Sequence, residues 1–207
     1  MFKIIERVYM HAKGMKYLFF VPFIVYYLLL PFTIYAYKQN PIGNVDVITI
    51  ASEFCYNFVP VISTWWIYMY FIESAEGEGR EILILGKGIT ATVFAFYLLN
   101  AISFIPICLV LNNREGAGIT LMLQLLVITF LMYGVAYFLS FLLKSIAVSV
   151  FIVLCYSVFA VSYADILEIL QYGRMLGNVD WIGNAFILSV LGSIFWYLGH
   201  LRSKYIT

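Results

Sequence analysis

Charge is what this chain has least of. Asp, Glu, Lys and Arg make up 11% of its 207 residues, against about 25% in soluble domains. Hydrophobic residues reach 64%, against about 45–50% in soluble domains. A chain of this length buries a sizeable core, but it cannot hide that much apolar surface from water. A soluble domain is excluded and an integral membrane protein is implied. The charges nearly cancel, at a formal +1, so the basic stripe that a nucleic-acid partner requires is missing. Cysteine is scarce and odd in number. Cys55, Cys108 and Cys155 lie far apart inside apolar runs, which argues against a disulfide framework or a CxxC metal site and for small buried hydrophobes. The two histidines, His11 and His200, form neither HExxH nor a paired spacing, so they read as interfacial or terminal residues rather than metal ligands. No GxSxG or Ser/Lys arrangement stands out, which disfavours an intramembrane protease.

What is there instead is long apolar runs. A bilayer-spanning helix needs about 20 apolar residues, and six such stretches fit the chain: 17–37, 47–72, 89–111, 119–143, 145–164 and 182–201. The run 119–164 carries one charge, Lys144. As a single helix it would extend about 69 Å, roughly twice the hydrocarbon thickness. The chain must therefore turn, and Lys144 is the natural place because charge at mid-bilayer is expensive. The run after Lys16 is too long for the apolar core of a cleavable signal and reads as an uncleaved anchor. Pro22, Pro31, Pro60 and Pro106 fall within spans and are expected to bend them. No internal repeat relates the first three spans to the last three, so an inverted-repeat carrier gains no support.

Lysine and arginine set the orientation. With the amino terminus cytoplasmic, Lys3, Arg7, Lys13, Lys16, Arg80, Lys87, Lys144, Arg202 and Lys204 lie inside, and only Lys38, Arg114 and Arg174 lie outside. Both termini are then cytoplasmic. Residues 1–16 precede the first span of a membrane domain that occupies 17–207. Phe2, Ile5, Val8, Tyr9 and Ala12 share one helical face there, with Lys3, Glu6, Arg7 and Lys13 largely opposite, the pattern of an amphipathic helix at the cytoplasmic interface. The outer loops 38–46 and 112–118 have turn composition. The outer segment 165–181 is longer, and Ile166, Leu167, Leu170 and Met175 predict one or two short helices at the outer interface.

A few polar residues fall inside the spans. Glu53 is about 9 Å into span two and Gln124 about 8 Å into span four; Asn57 and Asn100 fall near mid-membrane. Glu53 and Asn57 are one helical turn apart and share a face. Two readings stand side by side. The four residues form a polar strip lining a substrate path, with Glu53 recognising a cationic or polar group. Alternatively, they hydrogen-bond helix to helix, at roughly 1 kcal/mol each.

The scarce charge is concentrated in FIESAEGEGREILILGKG, residues 71–88. Its GKG invites a phosphate-loop reading, which fails: Glu81 stands where the first glycine belongs, and Gly88 follows the lysine where Ser or Thr is required. The cytoplasmic loop 73–88 is longer than a turn needs. It accommodates a short helix over 76–85, stopped by Gly86. Glu76, Glu78 and Glu81 suit its amino-terminal half, and Ile82, Leu83 and Leu85 form an apolar tail that can dock into a groove on a soluble partner.

This loop, set within an amphipathic helix, six spans, cytoplasmic termini and short outer helices before the last span, resembles the permease subunits of ABC-2-type ABC transporters. Glu76-Gly77, Glu78-Gly79, Glu81 and Ile82-Leu83-Ile84-Leu85 match the family's loop between spans two and three. Gly86-Lys87-Gly88 stand where many members have a Ser-Pro or similar pair. The resemblance implies an all-α, six-span permease whose loop is a coupling helix, with Glu76, Glu78, Arg80, Glu81, Ile82 and Leu83 meeting a separate ATPase subunit. ATP and Mg would be bound by that partner and no cofactor by this chain. A second permease chain, identical or related, would complete the path in the bacterial cytoplasmic membrane, and the cargo class would be peptide, drug or lipid. A membrane-embedded enzyme and a peptide-sensing or immunity protein are the competing readings.

Overall fold

The computed structural model describes residues 2–39, 47–75, 88–111, 117–143, 145–162 and 181–205, and these are all-helical. Helix α1 (Phe2–Met15) leads into a first span of mixed register: a 3-10 turn (Lys16–Phe20), α2 (Val21–Ile24), a π turn (Val25–Leu29) and α3 (Leu30–Gln39). Then come α4 (Val47–Ser63), α5 (Trp65–Ala75), α6 (Ile89–Leu111), α7 (Ala117–Leu143), α8 (Ile146–Ser162) and α9 (Trp181–Tyr205). Among the described residues, four helices are long and apolar enough to cross a membrane: Ile4–Gln39, Ile89–Leu111, Gly118–Leu143 and Trp181–Ser203. The run 119–164 is divided, since α7 ends at Leu143 and α8 begins at Ile146. The expected second span is not one helix. Thr64 separates α4 from α5, because Pro60 has no N–H to give the ladder. The Ser63 and Thr64 hydroxyls also turn back onto the carbonyls of Pro60 and Val61, each at 2.7 Å.

Backbone irregularity elsewhere in the chain has the same origin. Apolar surroundings offer no water, so each freed carbonyl needs a protein donor. In the 3-10 register Val21 donates to Leu18. The next donor due, at Phe19, is Pro22, which has no N–H. The indoles of Trp65 and Trp66 donate to the Leu18 and Phe19 carbonyls, both at 2.9 Å. Further along, Pro31 would press its ring against the carbonyl four residues earlier in an α-helix. The π turn just before it widens the ladder, sending the Leu30 N–H to Val25.

Helix α7 is the hub. Of its most apolar window 56% is buried, against 22–39% in the other three candidate spans, and α4, α5, α6, α8 and α9 all pack on it. Two of its buried hydroxyls are satisfied within the helix: Thr129 and Ser140 donate to the carbonyls of Leu125 and Ala136, each at 2.7 Å. The tightest seam joins α7 to α9. Phe130, Gly134 and Tyr137 face Gly192, Trp196 and Gly199. A Cβ on Gly134 would stand 2.9 Å from the Gly192 carbonyl oxygen, and one on Gly199 2.5 Å from the Tyr137 ring. Trp196 locks the seam by donating its indole N–H to Phe130 O at 3.0 Å.

The α1 helix has three faces rather than two. Ile4, Arg7, Val8, His11, Ala12 and Met15 form the protein-facing stripe. Ile5, Tyr9 and Met10 are exposed, as are Glu6 and Lys13. The helix stops at Lys16, whose φ of 52° is left-handed, a conformation that costs a non-glycine residue of order 1 kcal/mol.

The seam yields a contrast. Gly134→Ala meets backbone and is expected to cost about 1–3 kcal/mol, whereas Gly183→Ala enters open space within α9 and should leave stability unchanged or raise it by up to about 1 kcal/mol. Denaturant unfolding of the purified protein in detergent distinguishes them; equal behaviour would refute the close approach. In the same assay Trp66→Phe, which strips the donor from Phe19, should lose about 1–3 kcal/mol.

Candidate functional site

Of the four polar residues expected within the spans, two lie on α4 and two are buried in α6 and α7. Glu53 is on the exposed face of α4 and Asn57, one turn later, is half-buried with a polar partner. Asn100 and Gln124 are buried, at 0% and 2% exposure. Each accepts a tyrosine hydroxyl: Tyr26 of the π turn donates to Asn100 Oδ1 at 2.9 Å, and Tyr56 of α4 donates to Gln124 Oε1. Gln124 is thereby tied to α4 within one turn of Glu53 and Asn57, and Asn100 is tied to the first span. These are helix-to-helix bonds of the kind that hold spans together. Asn100 Nδ2 is the one buried side-chain nitrogen or oxygen among the described residues with no hydrogen-bond partner. The residues Glu76, Glu78, Arg80, Glu81, Ile82 and Leu83, the short helices of 165–181 up to position 180, and Lys144 lie outside the described residues.

A second polar cluster sits where the charged loop rejoins the bundle. Gly88, the first described residue after the loop, has φ 117°, a conformation open to glycine and strained for other residues. A Cβ there would stand 3.0 Å from the Arg7 guanidinium of α1. One turn of α1 later, His11 meets the Tyr70 ring edge-on, with centroids 4.5 Å apart. Tyr70, midway along α5, lies beside Thr92. On the other side, Thr90 Oγ1 lies 2.9 Å from Tyr137 Oη and 2.8 Å from His200 Nδ1. The cluster thus gathers α1, α5, α6, α7 and α9 near Gly88.

The proton positions in this cluster follow from counting donors. Ser203 Oγ donates to the His200 carbonyl at 2.8 Å, and Tyr137 donates to Ser203 Oγ at 3.1 Å. Tyr137 has one proton, so Thr90 must donate to Tyr137 Oη. Thr90 has one proton as well, so His200 Nδ1 must donate to Thr90 Oγ1. His200 therefore carries hydrogen on Nδ1. A hydroxyl nucleophile needs the opposite, a ring nitrogen that accepts its proton, so Thr90 and His200 form a brace and not an activated pair.

The charge-poor spans made Asn100 and Gln124 conspicuous in the sequence. Thr90, Tyr137, His200 and Ser203 carried no comparable signal, because Thr90 and His200 are 110 residues apart and each is an ordinary residue near a helix end. The donor count predicts that His200→Leu lowers stability by about 0.5–1.5 kcal/mol, while His200→Asn, which keeps a donor at the Nδ1 position, recovers most of it. Side-chain nitrogen NMR should find the Nδ1 proton; a bare Nδ1 would refute the assignment.

No protein-family model, curated protein or solved structure matches this chain.

Proposed function

We propose that the chain is the membrane permease subunit of an ATP-driven exporter of the ABC-2 type. The observation that carries this reading is the acidic, glycine-broken loop 73–88 with its apolar tail, set between two apolar segments of a chain that has no phosphate-binding motif of its own. In this reading α4 with α5 makes span two and α8 makes span five, giving six spans with both termini cytoplasmic. Glu76, Glu78, Arg80, Glu81, Ile82 and Leu83 meet a separate ATPase subunit, which binds ATP and Mg. A second permease chain completes the translocation path, and the cargo is a peptide, drug or lipid.

The polar cluster supports the reading mechanically. A loop that ends at Gly88 pulls directly on α6, and through Arg7 and the Thr90–His200 brace on α1 and α9. A displacement of the loop by a closing ATPase is therefore shared by the elements that flank the bundle's centre. Rigid helices braced by two-sided hydrogen bonds are the kind of network that carries coupling between distant sites.

Purification from native membranes should recover an ATPase bearing a phosphate loop. In the reconstituted complex, Glu78→Lys and Glu81→Lys should abolish substrate-stimulated ATP hydrolysis while the permease remains folded in the membrane. Stimulation that survives both changes would overturn the coupling assignment. Catalytic activity of the purified chain alone, without ATP or partner, would instead favour a membrane-embedded enzyme.

A further inference from the structure

We propose that the groove between the first span and α6 holds an acyl chain of an anionic phospholipid, drawn from the leaflet at the Lys38 end. The groove encloses about 410 Å³, inside the range of small-molecule sites, about 300–1,000 Å³. Its walls are Leu30, Pro31 and Ile34 on one side and Pro106, Ile107 and Val110 on the other. Tyr26 and Tyr27 close its inner end and Lys38 stands at its mouth.

The chemistry of the lining selects hydrocarbon. The polar atoms at the inner end are already engaged: Tyr26 donates to Asn100, and Tyr27 donates to the Ser103 carbonyl at 2.6 Å. The one unpartnered polar atom nearby, Asn100 Nδ2, belongs to a fully buried residue that does not line the groove. From Tyr26 to Lys38 the helix rises about 18 Å, a little more than half of a hydrocarbon core of about 30 Å. The groove is thus one leaflet deep. Lys38 is exposed and makes no ion pair with any described residue. At that depth its ammonium lies level with the headgroups and complements a phosphate. A helix, about 10 Å across, does not fit a space of this volume, which argues against a second copy of the chain as the occupant.

The groove is built into the backbone, not left over from loose packing. A proline on each wall and the π turn Val25–Leu29 at its inner end hold the two helices apart there. Single π turns inside α-helices are frequent at functional sites. The tyrosines on the π turn explain its use: Tyr26 and Tyr27 are adjacent, yet both reach α6.

Native mass spectrometry tests the site, using the full chain purified in detergent after equilibration with vesicles of equal phosphatidylglycerol and phosphatidylcholine. The wild type should retain one lipid, with phosphatidylglycerol favoured about fivefold. Lys38→Gln should keep one lipid and bring that preference close to unity. Val110→Trp, at an exposed wall position, should fill the groove and abolish retention, with its melting temperature confirming the fold. The proposal is overturned if the wild type retains no lipid, if Val110→Trp retains as much as the wild type, or if Val110→Trp removes a dimer and no lipid is seen.

Discussion

Two indole hydrogen bonds anchor the arrangement of this bundle. Trp65 and Trp66 donate to the carbonyls of Leu18 and Phe19, joining α5 to the start of the first span. In hydrocarbon an unsatisfied carbonyl costs several kcal/mol; the π turn absorbs Pro31 within the first span, and at Pro22 the indoles of another helix supply donors. The break at Thr64 restarts the helix just before the two tryptophans, so they approach the first span from α5. Other elements follow from that approach: Phe19 stacks on Trp66 at 5.4 Å, and the first span, set against α6, brings Tyr26 to Asn100.

Behind this frame, α7 and α9 form the rigid half. Their glycines let the backbones close to a distance at which Trp196 reaches the Phe130 carbonyl, and packing so close rewards dispersion contacts that lipid tails cannot match. The first span is the irregular part, with three helical registers in one stretch. The charged loop rejoins the bundle between the two, at Gly88. In the exporter reading, that is the position from which a push on the loop acts on both halves.

Some of this was legible in the chain, and for identifiable reasons. The break between α7 and α8 was marked by Lys144, because one charge in a long apolar run must lie near a surface. The stop after α1 was marked by Lys16 and the apolar run beyond it. The prolines announced distortion, though not its form: a 3-10 turn near Pro22, a π turn before Pro31, and a complete break after Pro60. Asn100 and Gln124 stood out as buried polar groups, but their partners are 74 and 68 residues away, and neither Tyr26 nor Tyr56 differs in sequence from the chain's other tyrosines. Periodicity described α1 as two-faced, whereas Arg7 and His11 turn toward the protein, because a helix at the mouth of a bundle meets protein, apolar surroundings and water at once.

Composition and local pattern establish that the chain is helical and apolar enough to enter a membrane, that the run 119–164 divides near Lys144, and which segment concentrates its charge. Those properties rest on local physics: the price of charge in hydrocarbon, the missing N–H of proline and the helical repeat. Which hydroxyls bond Asn100 and Gln124, that His200 braces Thr90, and that a groove lies between the first span and α6 emerge only in the folded chain. Each of those depends on side chains brought together from distant parts of the chain, and local pattern holds no record of such meetings.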